Sequence, residues 1–332
     1  MNNRNFAESI VNLDSCGFIE NESGGDGLWV SGRDGVIKIL TPHDKKADFI
    51  IFEDKILVYV KSSLGYPAIY PLHEARFDSP AEAVLMDLDG TTVRSENFWI
   101  WIIEKTMAKL LGKPRFELEA ADLPFVSGNS VSEHLQYCIN KYCEGKSVEE
   151  ARKIYFKTTN SEMEKIMRGR GRIDAFVPSV GLKDFLMTLK SNKIKIGLVT
   201  SGLYEKAWPE ILHVFRTLKM GDPAQFYDAI ITAGTPFRKG QTGTLGELPP
   251  KPHPWLYAEV ARIGLGMDFS RRHKVIGIED SAAGVLSVRL AGFTVIGLSS
   301  GNIKSAGMGC LLHSECTGLM DALEVILGKT GK

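Results

Sequence analysis

This 332-residue sequence has no CxxC pair, no histidines at zinc spacing, no long apolar run and no excess of charge of either sign. Each absence excludes something. The five cysteines (Cys16, Cys138, Cys143, Cys310 and Cys316) are odd in number and scattered. That argues against a disulfide framework or a structural zinc site and leads us to expect buried, unreactive thiols. Lys plus Arg and Asp plus Glu both number 40, so no summed field gathers nucleic acid or anionic membrane, and neither is expected as a partner. The most apolar local run, residues 98–103, is far shorter than the roughly 20 residues that cross a bilayer as a helix. The opening MNNRNFAESIVNLDSCGF lacks a basic region followed by an apolar stretch, so it does not read as a secretory signal, and a cytoplasmic protein is expected. With 44% hydrophobic and 24% charged residues, the chain has the material for a large core and an accessory domain.

Residues 27–80 carry short stretches rich in β-branched and aromatic residues (GLWVS, GVIKIL, DFIIFE, KILVYVK and PAIYPL), punctuated by Gly, Asp and Pro. They predict a small β-rich region of about five strands behind a poorly structured leader. We assign residues 1–80 to this accessory domain, in which no recognisable chemistry stands out. The GGD around Gly24 lacks the GxGxxG spacing of a nucleotide loop and no helical pattern follows it, so it reads as a flexible turn.

From Ala83 onward, apolar strands alternate with helical segments: AVLMDLDG, IKIGLVTSG, YDAIITAG, KVIGIEDS and TVIGLSSG. This alternation predicts an α/β fold with a doubly wound parallel sheet, helices on both faces and ligands at the carboxyl ends of the strands. The stretch between the first two strands is far longer than a simple crossover needs and looks helical, for example over residues 98–111 and 148–167. We read residues 95–178 as an inserted helical cap with hinges near Arg94 and residues 177–181. Residues 81–94 and 179–332 form the core.

Polar residues collect at those strand ends. Asp87 and Asp89 close the first strand, followed by Gly90, Thr91 and Thr92. A calcium loop is excluded because its glycine falls at the sixth position, whereas Gly90 is fourth. A plain polar turn remains the alternative for this stretch taken alone. Thr200 and Ser201 follow the second strand, Lys251 opens KPHPWLY, and Glu279 with Asp280 ends a later strand. Structural readings exist for several of these: Thr200 as a helix cap, Lys251 as a solvated lysine, and Asp280 with Ser281 as the cap of a helix beginning near Ala282.

In this order, the residues resemble the four motifs of the haloacid dehalogenase superfamily over roughly residues 82–328. The helical insertion is similar to the type I cap of phosphoglycolate phosphatase and β-phosphoglucomutase relatives. The resemblance implies a Rossmann-like core with strand order 3-2-1-4-5 and a Mg2+-dependent phosphatase acting on a small phosphorylated metabolite, such as a sugar phosphate. Asp87 would be the nucleophile that forms a phosphoaspartate, and Asp89 the acid that later turns base. Thr200 would bind the phosphoryl group, helped by amides near Ser201 and Gly202 at a helix start. Asp87, Asp280 and the backbone carbonyl of Asp89 would hold the metal, with Glu279 acting directly or through water. The chemistry agrees with these residue types, since an anionic carboxylate attacking a phosphate dianion needs cations such as Lys251 and a hard metal ion around it.

Departures from the pattern narrow the reading. Asp89 separates the chain from the dehalogenases, which lack an acid there. The cap loop LPFVSGNSVSEHL has no lysine of the phosphonoacetaldehyde hydrolase kind, and Val131 stands where phosphomutases carry an arginine. Its residues Ser127, Gly128, Asn129 and Ser130 are candidate substrate contacts, although Gly and Asn equally suit an interhelical turn. Arg94 replaces a common Asp and reads as a surface residue. A phosphomutase, and a non-catalytic scaffold that binds a protein through its N-terminal region, remain the competing readings.

Overall fold

The computed structural model describes residues 13–61, 67–126, 131–143, 145–234 and 248–328. It contains two compact units. One comprises the described residues up to Thr92 with Ser179–Ala207 and those from Gly221 onward; the other comprises Val93–Pro178 and Trp208–Met220.

The first unit is built on a six-stranded parallel sheet. Its strands lie in the spatial order Ala229–Gly234, Lys195–Leu203, Ala83–Asp87, Val275–Glu279, Thr294–Leu298 and Ser314–Cys316. The expected 3-2-1-4-5 order is present, extended by a sixth strand whose short polar sequence gives no periodic signal. Val84, Leu85 and Met86 in the central strand are all fully buried, as helices on both faces of a parallel sheet require. Register fixes the site. Asp87 lies level with Val199 of one neighbour, and Met86 lies level with Ile278 of the other. Thr200 and Glu279 therefore emerge beside Asp87 at the same carboxyl edge.

An antiparallel sheet occupies the N-terminal part of the same unit, with strands Ile19–Asn21, Val36–Thr41, Ala47–Phe52, Ile56–Val60 and Ala68–Pro71 in that order. Five strands agree with the expectation, but their identities differ. The GLWVS stretch supplies only Trp29–Val30, which pairs with Ser23–Gly24 in a separate ribbon, and the fifth strand comes from residues read as leader. The turn at Gly24 is held rather than flexible: the Gly25 amide donates to buried Asp48 at 2.9 Å, and Tyr59 donates to Asp26 at 2.5 Å.

One face of this sheet shares a continuous apolar core with the parallel sheet and its helices. Phe49, Ile51 and Val58 belong to the same buried cluster as Leu85, Leu256, Leu286 and Val295. Cys16 and Cys310 form a disulfide with Cα atoms 5.2 Å apart, contrary to the expectation of unpaired thiols throughout. It joins the 3-10 turns Leu13–Cys16 and Met308–Leu311, a proximity that only the tertiary fold creates. Cys138, Cys143 and Cys316 are free and buried.

The second unit is helical, with Glu96–Leu110, Val131–Tyr142 and Val148–Met167 as its longer helices. The segments read as hinges pair with each other as an antiparallel ribbon, Arg94 against Val177 and Val93 against Pro178, and Arg94 is exposed. Buried Asp122 gathers this unit by accepting from Tyr137 at 2.7 Å, from Lys141 at 2.6 Å and from Tyr142. No helix among the described residues is long and apolar enough to cross a membrane.

Candidate active site

Four segments that are distant in sequence meet at the carboxyl edge of the parallel sheet. After Asp87 the chain turns sharply, with Thr92 Oγ1 donating to the Asp87 carbonyl at 2.5 Å and the Thr92 amide to the Leu88 carbonyl at 2.9 Å. The turn passes through Gly90 at φ +86°. A side chain there would carry backbone strain, and its Cβ would overlap the Asp280 carboxylate.

Lys251 lies between the carboxylates. Its ammonium bonds Asp87 Oδ1 and lies 2.6 Å from Glu279 Oε1, with its side chain only 7% exposed. Burial works against this ammonium, but the Asp87 and Glu279 charges outweigh it and raise its pKa, so Lys251 is cationic and not a solvated surface lysine. The loop is fastened from a second direction, because the Lys251 amide donates to Ser201 Oγ at 3.0 Å.

Asp87, Glu279 and Asp280 each offer a carboxylate oxygen within 4.8 Å of the others. Burial, reinforced by the charge of Glu279, raises the pKa of Asp87 above the ordinary range and pushes Asp280 up to about 7. One ammonium does not neutralise three carboxylates, and all the donors are hard oxygens. The residues therefore fit a hard divalent cation of the magnesium class. Ser281, not Asp280, caps the helix Ala282–Leu290, accepting from the Gly284 amide at 3.1 Å. Its hydroxyl also bonds Glu279 Oε2 at 3.1 Å.

Asp89 stands apart from the cluster, about one-third exposed, with Oδ2 3.6 Å from Lys206 Nζ. Thr200 is buried and does not cap a helix. Its Oγ1 accepts from the Gly202 amide at 2.9 Å, the strand runs on to Leu203, and the helix starts only at Tyr204. The Ser201 and Gly202 amides thus belong to the strand end, and the one on Gly202 is already engaged. Ser127, Gly128, Asn129 and Ser130 lie outside the described residues.

Two residues join the site that sequence reasoning had not singled out. Tyr257, fully buried on the helix Trp255–Glu259, donates its hydroxyl to Glu279 Oε1. Its ring centroid lies 5.1 Å from the Lys251 ammonium. Within KPHPWLY a tyrosine reads simply as a core aromatic, so only the fold reveals the bond. Lys206 lies in the first turn of the helix Tyr204–Leu218, and its closeness to Asp89 has no sequence signal beyond its position after TSG.

Residues 84–298 match the profile of a family described as haloacid dehalogenase-like hydrolase. No curated protein matches the sequence. Among solved structures, a HAD hydrolase, family IA, variant 3, from Entamoeba histolytica aligns at 19% identity and TM-score 0.54, covering 74% of this chain and 98% of its own. A HAD-superfamily hydrolase, subfamily IA, variant 1, from Geobacter sulfurreducens aligns at 16% identity and TM-score 0.53, covering 76% and 99%. CbbY from Rhodobacter sphaeroides, solved in complex with phosphate, aligns at 17% identity and TM-score 0.50, covering 72% and 95%.

Proposed function

Because the chain belongs to the haloacid dehalogenase-like hydrolase family, we propose that it is a magnesium-dependent phosphatase that hydrolyses a small phosphorylated metabolite through a phosphoaspartate on Asp87. The observation that carries this reading is the buried group of Asp87, Glu279 and Asp280 around Lys251 at the strand ends. Such a site offers an anionic nucleophile together with the positive charge that its attack on phosphate demands.

In the proposed reaction, the Asp87 carboxylate attacks phosphorus and forms an acyl phosphate. The bond to the leaving alkoxide breaks as Asp89 supplies its proton. Asp89, now a carboxylate, takes a proton from water as that water attacks the acyl phosphate, which releases inorganic phosphate and restores Asp87. Lys251 holds Asp87 in place and faces the transferring oxygens, and the Thr200 hydroxyl binds the phosphoryl group. Asp87, Asp280 and the backbone carbonyl of Asp89 would hold the metal, with Glu279 direct or through water. Bound there, the ion supplies Lewis-acid charge stabilisation to the phosphoryl oxygens. We assign residues 81–94 and 179–332 to the catalytic core and residues 95–178 to the cap.

The test is phosphate release from a panel of phosphorylated metabolites, with and without magnesium, by the wild type, Asp87→Asn and Asp89→Asn. Magnesium-dependent release that both substitutions abolish is the expected result. An isomerised product without free phosphate would replace the reading with a phosphomutase, and inertness toward every compound would favour a binding role.

A further inference from the structure

We propose that Tyr70, on the outer strand of the N-terminal antiparallel sheet, is a positioning residue for Lys251. The inference rests on the phosphatase reading for its catalytic consequence, but its structural content stands separately. The Tyr70 hydroxyl and His253 Nδ1 share a hydrogen bond of 2.9 Å, and His253 lies two residues beyond Lys251. The Tyr70 ring also packs edge-on against His253 and Trp255, with centroids 5.8 and 6.1 Å away.

Besides the ammonium bonds of Lys251 to Asp87 and Glu279, three hydrogen bonds among the described residues tie the loop that carries Lys251 to other segments. Ser201 Oγ accepts from the Lys251 amide, and Ser287 Oγ donates to the His253 carbonyl at 2.6 Å. Both come from the parallel-sheet fold. Tyr70 supplies the third, from a sheet that lies before the residues matched by the family profile. Leu72 lies two residues on, and in an extended segment such residues share a face. It is buried in the same apolar cluster as Leu256 and Tyr257. One face of this edge segment thus turns toward the core that holds KPHPWLY: Tyr70 meets its imidazole and indole, and Leu72 is buried in the cluster that includes Leu256 and Tyr257. His253 is itself buried, so water has little access to replace the tyrosine hydroxyl.

A lysine that must meet both Asp87 and the transferring phosphoryl group tolerates little displacement, since small misplacements of reacting groups cost large factors in rate. The N-terminal sheet then acts as part of the site's support, and removing one hydroxyl from it should be felt at Lys251.

The experiment compares Tyr70→Phe, His253→Gln and the double variant with the wild type. Tyr59→Phe serves as a control that loses a hydroxyl elsewhere in the same sheet. Two readouts are taken: steady-state hydrolysis of p-nitrophenyl phosphate with magnesium, and amide hydrogen exchange across residues 250–258. We expect Tyr70→Phe to lower kcat about fivefold with KM unchanged, as the loss of one hydrogen bond implies. It should also speed exchange of the Lys251 and His253 amides. The double variant should be no worse than the poorer single one, and Tyr59→Phe should match the wild type in both readouts. Wild-type exchange and kcat in Tyr70→Phe would overturn the inference. A wild type inert toward p-nitrophenyl phosphate and toward the whole metabolite panel would remove the phosphatase reading instead, and loop exchange would still decide whether Tyr70 holds the lysine segment.

Discussion

The amide of Lys251 donates to the hydroxyl of Ser201 across 3.0 Å, tying the lysine loop to the end of the strand that carries Thr200. Ser201 is exposed, so water can take over this bond when the hydroxyl is removed. Ser201→Ala is therefore expected to fold normally and to lose no more than about fivefold in kcat, the worth of roughly one hydrogen bond. Steady-state kinetics with matched thermal melts check this, and a loss of several hundredfold would mean that the hydroxyl touches substrate.

Removing the Lys251 ammonium is a different matter, because it leaves Asp87 and Glu279 facing each other without a cation. Lys251→Met should cost about 3–5 kcal/mol of stability in the metal-free protein, as breaking a buried ion pair does. It should also cost about a hundredfold or more in phosphate release. Urea unfolding in EDTA reads the first and a phosphate assay the second. A variant as stable as the wild type would show that the ammonium is not what neutralises the carboxylates.

The raised pKa of Asp280, about 7, predicts a pH dependence whose sign follows from proton counting. Between the ordinary carboxyl value of 3.8 and about 7, the folded metal-free protein keeps a proton that the unfolded chain has released. Stability from this group is thus present at low pH and declines as pH rises through that window, by up to about 1.4 kcal/mol per pH unit. Asp87 is shifted in the same direction. In EDTA, the melting temperature of the wild type should fall from pH 5 to pH 7 relative to Asp280→Asn, and magnesium should remove the difference. Parallel curves for the two proteins would contradict the assignment.

A fourth prediction concerns a helix position where propensity and packing oppose each other. Gly284 lies in the helix Ala282–Leu290, where alanine would gain about 1 kcal/mol of helix propensity. A Cβ there would nevertheless overlap the Glu279 carboxylate. Gly284→Ala is expected to lower phosphatase activity by about tenfold or more and to raise the magnesium concentration needed for half-activation, because displacing a buried carboxylate moves its partners. Wild-type metal dependence would show that Glu279 can shift without consequence.

Residues that terminate apolar strands were the most legible part of this molecule. Asp87, Thr200, Glu279 and Asp280 each follow a run that a buried parallel strand requires, and the fold brings them to one edge. Contacts between distant segments were not legible. Tyr70, His253 and Tyr257 read as ordinary aromatic or loop residues, since nothing in their spacing announces a partner. Cys16 and Cys310 likewise show no pairing pattern, and their Cα atoms come within 5.2 Å only because two 3-10 turns pack together. GLWVS failed as a full strand for a related reason: its own Gly27 and the nearby Gly25 and Gly32 all take positive φ, which curls the segment into a short ribbon.

The register of the central strand also constrains how the chain can be assembled during synthesis. Ala83 pairs with Lys195 on one side and with Val275 on the other, so the first core strand has no sheet partner until a long downstream stretch has been made. The N-terminal sheet is a succession of neighbouring antiparallel pairs and can form early, since local contacts close quickly. Its apolar face, with Phe49, Ile51 and Val58, is completed only by segments such as Leu256 and Val295. The nascent chain therefore carries an uncovered hydrophobic sheet through much of its translation. That interval, more than the finished structure, is where binding by a chaperone would have the greatest effect on yield.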